Sequence, residues 1–183
     1  MESLWLALFT LSVYPGAVLQ KATFKHDERK QKMLSHNNQE FKQNLLFDLI
    51  PASLEETRLI DQKLMEFNRR QVPFTQKQNP ILQNYIIKNN GIIIAGIKAD
   101  IYHWDMVYID VLFVEEQYRG QQLGSALLNK VESEARLLGA TLVHLDTFDF
   151  QAKDFYLKHG YQIFGILEDC PKGHKRYYLK KNL

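Results

Sequence analysis

With a single cysteine, Cys170, the chain cannot form an intramolecular disulfide, so an oxidising compartment is not implied and a cytoplasmic location is expected. Charge of one sign is also scarce. Residues 1–43 hold six Lys/Arg and four Asp/Glu, leaving seventeen of each in residues 44–183 out of a total of 23 and 21. A neutral body lacks the basic excess of a nucleic-acid binder, and no nucleic acid is expected as partner. Long apolar runs are lacking too. The stretch Met1 to Gln20 is apolar, but only Glu2 precedes the run, no clear A-x-A site follows, and Pro15-Gly16 stops it short of the ~20 residues of a membrane span. Neither export nor a membrane is expected. Two phosphate-binding signatures, G-x-x-x-x-G-K-[ST] and G-x-G-x-x-G, are absent, and there is no internal repeat.

What is present is core material, with 45% apolar and 12% aromatic residues in 183. This is enough for one domain and an extension. Residues 1–43 read as that extension, an apolar stretch followed by a polar linker, with Met33 as an alternative start that would make the preceding residues non-native. From 44 onward the pattern is that of a folded domain. Leu45 to Ile50 reads as a first strand ended by Pro51. Ser53 with Glu56 forms a capping box ahead of the stripe Leu59, Ile60, Leu64 and Phe67. Asn84 to Ile87 and Ile92 to Ile97 read as a hairpin with a loop longer than two residues, and Tyr102 to Val114 as the next strand. A helix after Gly124 closes at Gly139. Thr141 to Leu145, a short helix around Ala152 to Leu157 ending at Gly160, and strands at Tyr161 to Leu167 and Lys175 to Leu179 complete a mixed α/β order. Pro171 to Leu183 carries Lys172, Lys175, Arg176, Lys180 and Lys181 without an acid, a pattern of edge-strand protection and solvation.

The chain turns on Val114 to Leu128, V-E-E-Q-Y-R-G-Q-Q-L-G-S-A-L-L. An apolar strand leads through a glycine-containing turn into a helix with apolar residues at Leu123, Leu127, Val131 and Ala135. Such a turn gathers free N–H groups at the positive end of a helix dipole, which suits a phosphate. The stretch resembles the pyrophosphate loop [QR]-x-x-G-x-[GA] of the GNAT superfamily of acyl-CoA-dependent N-acyltransferases. Arg119 and Gly124 match its first and last positions, and Gln122 stands where the family has its middle glycine. A second stretch, Asp149 to Tyr161, is similar to the family's N-x-x-A-x-x-x-Y-x-x-x-G-[FY]. Ala152, Tyr156, Gly160 and Tyr161 match, while Asp149 replaces the asparagine.

The resemblance covers roughly 44–183 and implies a GNAT-type domain: a mixed, mostly antiparallel sheet of about six to seven strands flanked by helices, with one splayed strand pair for CoA. It implies acetyl-CoA as co-substrate, with no metal, and acyl transfer to a primary amine of a small molecule or protein. The implied cofactor-binding residues are Leu112, Phe113 and Val114, whose backbone pairs with pantetheine and supplies an oxyanion donor, and Arg119, Gly120, Gln121, Gln122, Leu123, Gly124 and Ser125 around the diphosphate, with Gly120 and Gly124 allowing close approach. Asp149 joins them through its acceptor oxygens. Tyr156 matches the family's general acid, and its reference pKa of about 10 exceeds the ~8.5 of a thiol. For the base, the position that carries a carboxylate in some relatives is His144, with Asp146 on the same strand face; Asp110, the lone acid in its strand, is a second candidate. Cys170, between Asp169 and Pro171, reads as a structural thiol. A catalytically inactive acyl-CoA-binding module is the alternative suggested by Gln122 and Asp149, and a homodimer is left open.

Overall fold

The computed structural model describes residues 49–76 and 80–183, in two units divided after Val72. In the first unit, helix α1 (Leu54–Gln71) begins at the expected capping box. Ser53 Oγ accepts from the Glu56 N–H at 3.2 Å and Glu56 Oε2 accepts from the Ser53 N–H at 2.7 Å. Glu55 and Glu56 in the first turn and Arg69 and Arg70 in the last complement the helix dipole. Of the expected first strand at 45–50, residues 45–48 lie outside the described residues, and Leu49 and Ile50 are in no strand.

The second unit is a seven-stranded sheet with two helices. Its elements are β1 (Ile81–Leu82), β2 (Tyr85–Asn89), β3 (Ile92–Tyr102), β4 (Met106–Val114), α2 (Leu123–Leu137), β5 (Leu142–Phe148), α3 (Lys153–Lys158), β6 (Gln162–Glu168) and β7 (Lys175–Asn182). The order is β1-β3-β4-β5-β7-β6, with β2 also paired to β3. Every pairing is antiparallel except β4 with β5.

Three expectations are corrected. The β2–β3 loop is the ideal two residues: Asn89 pairs with Ile92, and Asn90 and Gly91, at φ 48° and 82°, supply the two left-handed positions a tight hairpin turn demands. The strand expected to start at Tyr102 starts at Met106, because Tyr102 ends β3 and the chain turns through His103, Trp104 and Asp105. That turn uses His103 and Asp105 at φ 48° and 57°, with no glycine or proline to announce it. Finally, the basic C-terminal strand is not an edge. β7 lies between β5 and β6, and three of its cations are paired: Lys175 with Glu168 at 3.0 Å, Arg176 with Asp146 at 2.6 Å and Lys181 with Glu132 at 2.6 Å.

Alternation along the strands puts Ala95, Ile97, Ala99, Ile101, Val107, Ile109, Val143, Leu145 and Leu179 on one face, against Leu127, Leu128, Val131 and Ala135 of α2. Full burial of each large aliphatic residue contributes about 1.5–3 kcal/mol. Tyr156 and Tyr161 join the same cluster. Among these apolar residues sits Glu132, 3% exposed, accepting from Tyr161 Oη at 3.0 Å and Lys181 Nζ at 2.6 Å. It ties α2 to the start of β6 and to β7.

Candidate active site

Strands β4 and β5 pair from Met106↔Leu142 to Ile109↔Leu145, and there the ladder stops although β4 runs on to Val114 and β5 to Phe148. At the same point β4 bulges. Lys98 faces Val111 and Ala99 faces Ile109, so Asp110 is the extra residue. The bulge reverses the faces: Val107 and Ile109 are buried before it, whereas after it Leu112 and Val114 pack on the core and Val111 and Phe113 are exposed. Residues 111–114 are paired with β3 on one side only, and their other edge borders the gap with backbone groups that call for a partner.

The chain leaves β4 through a 3-10 turn, Glu116–Tyr118, and a loop that places Gly120 at φ 77° and Gln122 at φ 62°. Two left-handed residues bend the backbone so that α2 starts beside the end of β4, and the second of them is an energetic cost of about 1 kcal/mol for a residue other than glycine. Arg119 Nε donates to the Val114 carbonyl at 3.2 Å and holds the loop to the strand end. Among the described residues no side chain caps α2, so the first-turn N–H groups of Leu123, Gly124 and Ser125 stand at the positive end of a 15-residue helix. This is a donor set for an anion. A Cβ at Gly124 would lie 3.5 Å from Phe155 Cζ and 3.6 Å from Val114 Cγ2, at ordinary van der Waals contact, so the helix start packs beside α3 and β4 without needing glycine for that packing. Ser125 Oγ lies 3.0 Å from His159 Nε2 at the end of α3.

Helix α3 also carries Tyr156, 6% exposed, whose ring meets Phe155 and Tyr161 edge-on at 5.2 and 5.5 Å. Burial, and then the negative charge of Asp146, push its phenol well above the ordinary value near 10, so it keeps its proton.

On the sheet face away from α2 lies a polar cluster. Tyr102 Oη is 2.6 Å from His144 Nε2, the His144 ring lies 5.1 Å from that of Tyr108, and Tyr108 Oη donates to Asp146 Oδ1 at 3.0 Å. Asp146 Oδ2 accepts from Arg176 Nε at 2.6 Å, and the guanidinium rests over Phe148 and Tyr178. Burial lowers the His144 pKa, opposed in part by Asp146, so the ring is neutral and able to take a proton at pH 7. Nearer β3, Asp100 is pushed up to about 6 by burial and by Asp110, with Lys98 pulling the other way. Its Oδ2 is buried without a hydrogen-bond partner among the described residues.

Comparison with known proteins agrees with this geometry. The model of the acetyltransferase (GNAT) family matches residues 46–161. The chain belongs to the GNAT acetyltransferase family. It is 31% identical over 104 residues to the blasticidin-S acetyltransferase of Streptomyces morookaense, covering 56% of this chain and 76% of that protein. With an acetyltransferase of Agrobacterium fabrum it shares 27% over 130 residues, covering 71% and 93%. The crystal structure of an acetyltransferase from Bacillus cereus superposes with a TM-score of 0.70 at 34% identity, covering 75% of this chain and 99% of that one. The protein is accordingly an acyltransferase, and its parted β4 and β5 are the splayed pair of a GNAT sheet.

In this GNAT domain the expected residues are placed unevenly. Leu112 to Val114 border the gap, Arg119 to Ser125 form the turn at one end of it, and Tyr156 stands on the helix packed against that turn. His144 belongs to the polar face and is held by Tyr102. Asp110 is the bulge residue and pairs with Lys98 at 2.7 Å. Asp149 is engaged elsewhere: its oxygens lie 3.1 Å from His174 Nδ1 and 3.3 Å from the Lys175 N–H, at the entry to β7. Tyr102, Tyr108, Arg176 and Asp100 were not expected. Tyr102, Tyr108 and Arg176 meet His144 and Asp146 across sequence separations of 42, 38 and 30 residues, and strand alternation alone says which face a residue takes and not what lies across it. Among the described residues no helix is long and apolar enough to cross a membrane.

Proposed function

We propose that the protein is an N-acetyltransferase that moves the acetyl group of acetyl-CoA to a primary amine of a small cationic molecule. The observation that carries this reading is the gap opened between β4 and β5 after Ile109↔Leu145, with an uncapped helix start at one end and a buried, protonated tyrosine beside it. The diphosphate would meet the N–H groups of residues 123–125, with Arg119 adding charge, while Asp149, an acceptor engaged with His174 and the Lys175 N–H, would take no part in holding it. Pantetheine, an extended chain with two amides, would pair with the open edge of residues 112–114, and a backbone N–H there would stabilise the oxyanion.

The amine nitrogen attacks the thioester carbonyl, the C–S bond breaks, and Tyr156 gives its proton to the departing sulfur. The amine's own proton leaves to His144, directly or through water, with Asp110 the second candidate base. A cationic acceptor fits the charge of the polar face. Asp146 and Asp110 are paired with Arg176 and Lys98, while Asp100, which also feels Lys98, has one buried carboxylate oxygen without a hydrogen-bond partner among the described residues. The name of the Streptomyces relative, a blasticidin-S acetyltransferase, is consistent with a small-molecule acceptor. The test is thiol release from acetyl-CoA with a panel of cationic amines, blasticidin S included, against neutral amines and peptides. Turnover of peptide N-termini alone would overturn the acceptor class, and no calorimetric binding of acetyl-CoA would overturn the whole reading.

A further inference from the structure

Something must hold the first turn of α2 in place, because it follows two left-handed residues and has no side-chain cap. Two residues of α3 and its end do so, Phe155 and His159, spaced i, i+4 and therefore on one helical face. Their rings pack against each other at 4.3 Å. Phe155 packs beside Gly124, its Cζ 3.5 Å from where a Cβ would stand. His159 is bonded at both nitrogens: Nδ1 lies 2.8 Å from the Phe155 carbonyl and Nε2 3.0 Å from Ser125 Oγ. A carbonyl only accepts, so Nδ1 carries the hydrogen. In the neutral ring Nε2 is then a bare acceptor that takes the Ser125 hydroxyl proton. The hydroxyl is thereby spent on the helix-to-helix bond, and Ser125 faces an anion with its backbone N–H alone.

We infer that His159 is a positioning residue that clamps the anion-binding turn of α2 onto the helix carrying Tyr156, and so sets the distance between the donor's diphosphate and its reacting sulfur. Tyr156 is adjacent to Phe155 on α3, so the clamp and the acid move as one body. The clamp acts on the diphosphate end, and a donor without a diphosphate should not sense its loss. This inference rests on the reading of residues 123–125 as the diphosphate site.

The test measures CoA dissociation constants by calorimetry, and KM for acetyl-CoA against S-acetylpantetheine, which has no diphosphate. His159→Asn keeps a group at the Nδ1 position for the Phe155 carbonyl but cannot reach Ser125; His159→Gln can reach it. His159→Asn should weaken CoA roughly tenfold, as one misplaced charge-assisted hydrogen bond would. KM for S-acetylpantetheine should change less than about twofold, and unfolding temperature without ligand should stay near wild type, while His159→Gln recovers most of the affinity. Ser125→Ala should match His159→Asn, and the double variant should be no worse than either. A CoA affinity in His159→Asn within about twofold of wild type, or equal losses with both donors, would overturn the clamp. Wild-type protein that fails to bind CoA at all would instead remove the diphosphate site, and the clamp with it.

Discussion

Replacing Tyr156 by phenylalanine isolates the proton transfer from the packing. The residue is 6% exposed and its ring contacts, to Phe155 and Tyr161, involve only carbon faces and edges that phenylalanine retains. Stability should therefore change by no more than about 1 kcal/mol. What is lost is a hydroxyl kept protonated by burial and by Asp146 across the whole assay range. General acid catalysis is worth roughly 10²–10⁴-fold, so kcat should fall at least about a hundredfold, ~2.7 kcal/mol of barrier, with CoA affinity little changed. The size of the loss should depend on the leaving group. A thiol of ordinary pKa, about 8.5, needs the proton, whereas an acetyl thioester of a more acidic thiol departs with less help, so the deficit should shrink with such a donor. Stopped-flow thiol release with both donors and one amine measures this. A Tyr156→Phe enzyme with wild-type kcat, or one whose deficit is identical for both thiols, would refute the role.

His144 gives the complementary profile: burial holds its pKa below 6.5, so if it takes the amine's proton, wild-type rate should fall only at more acidic pH, and His144→Ala should remove that limb and lower the plateau. The same depression means that the neutral ring's contribution to stability is fully present above pH 6.5 and lost as pH falls through the lowered value, which urea midpoints at pH 5 and 7.5 would register. Glu132→Ala should cost about 3 kcal/mol in urea unfolding, since it strands the hydroxyl of Tyr161 and the charge of Lys181, and Glu132→Gln should cost less. Gln122→Gly should stabilise by up to about 1 kcal/mol by relieving the left-handed conformation at φ 62°. Deleting the residues before Lys42 should leave CoA binding by calorimetry intact if residues 1–43 are an appendage to the catalytic domain at 44–183; loss of folding would refute that.

Local chemistry was readable and cross-strand geometry was not. The capping box at Ser53, the glycine closing α2 and the turn into that helix each depend on a few adjacent residues, and each stands where the residues put it. Gln122 was noticed as a departure from a glycine position, but only the backbone shows why glycine suits it: the position is left-handed. The parting of β4 from β5 has no local signature, because the ladder stops between strands separated by a whole helix. The same applies to Arg176. Read along the chain it is one of five cations in a tail; across the sheet it is the partner of Asp146, thirty residues away.

The interior place of β7 bears on how the chain assembles. β5 and β6 are made first, yet they are not neighbours in the finished sheet, because the strand between them is built from residues 175–182. Until those residues leave the ribosome, β5 and β6 each present an open edge to whatever is nearby, which is the condition under which nascent chains associate wrongly. A polysome stalled before residue 175 should therefore carry an aggregation-prone intermediate. A fusion or tag that delays the last strand's arrival would lengthen its exposure, whereas the lysines along β7 give that strand the solubility to wait for its slot.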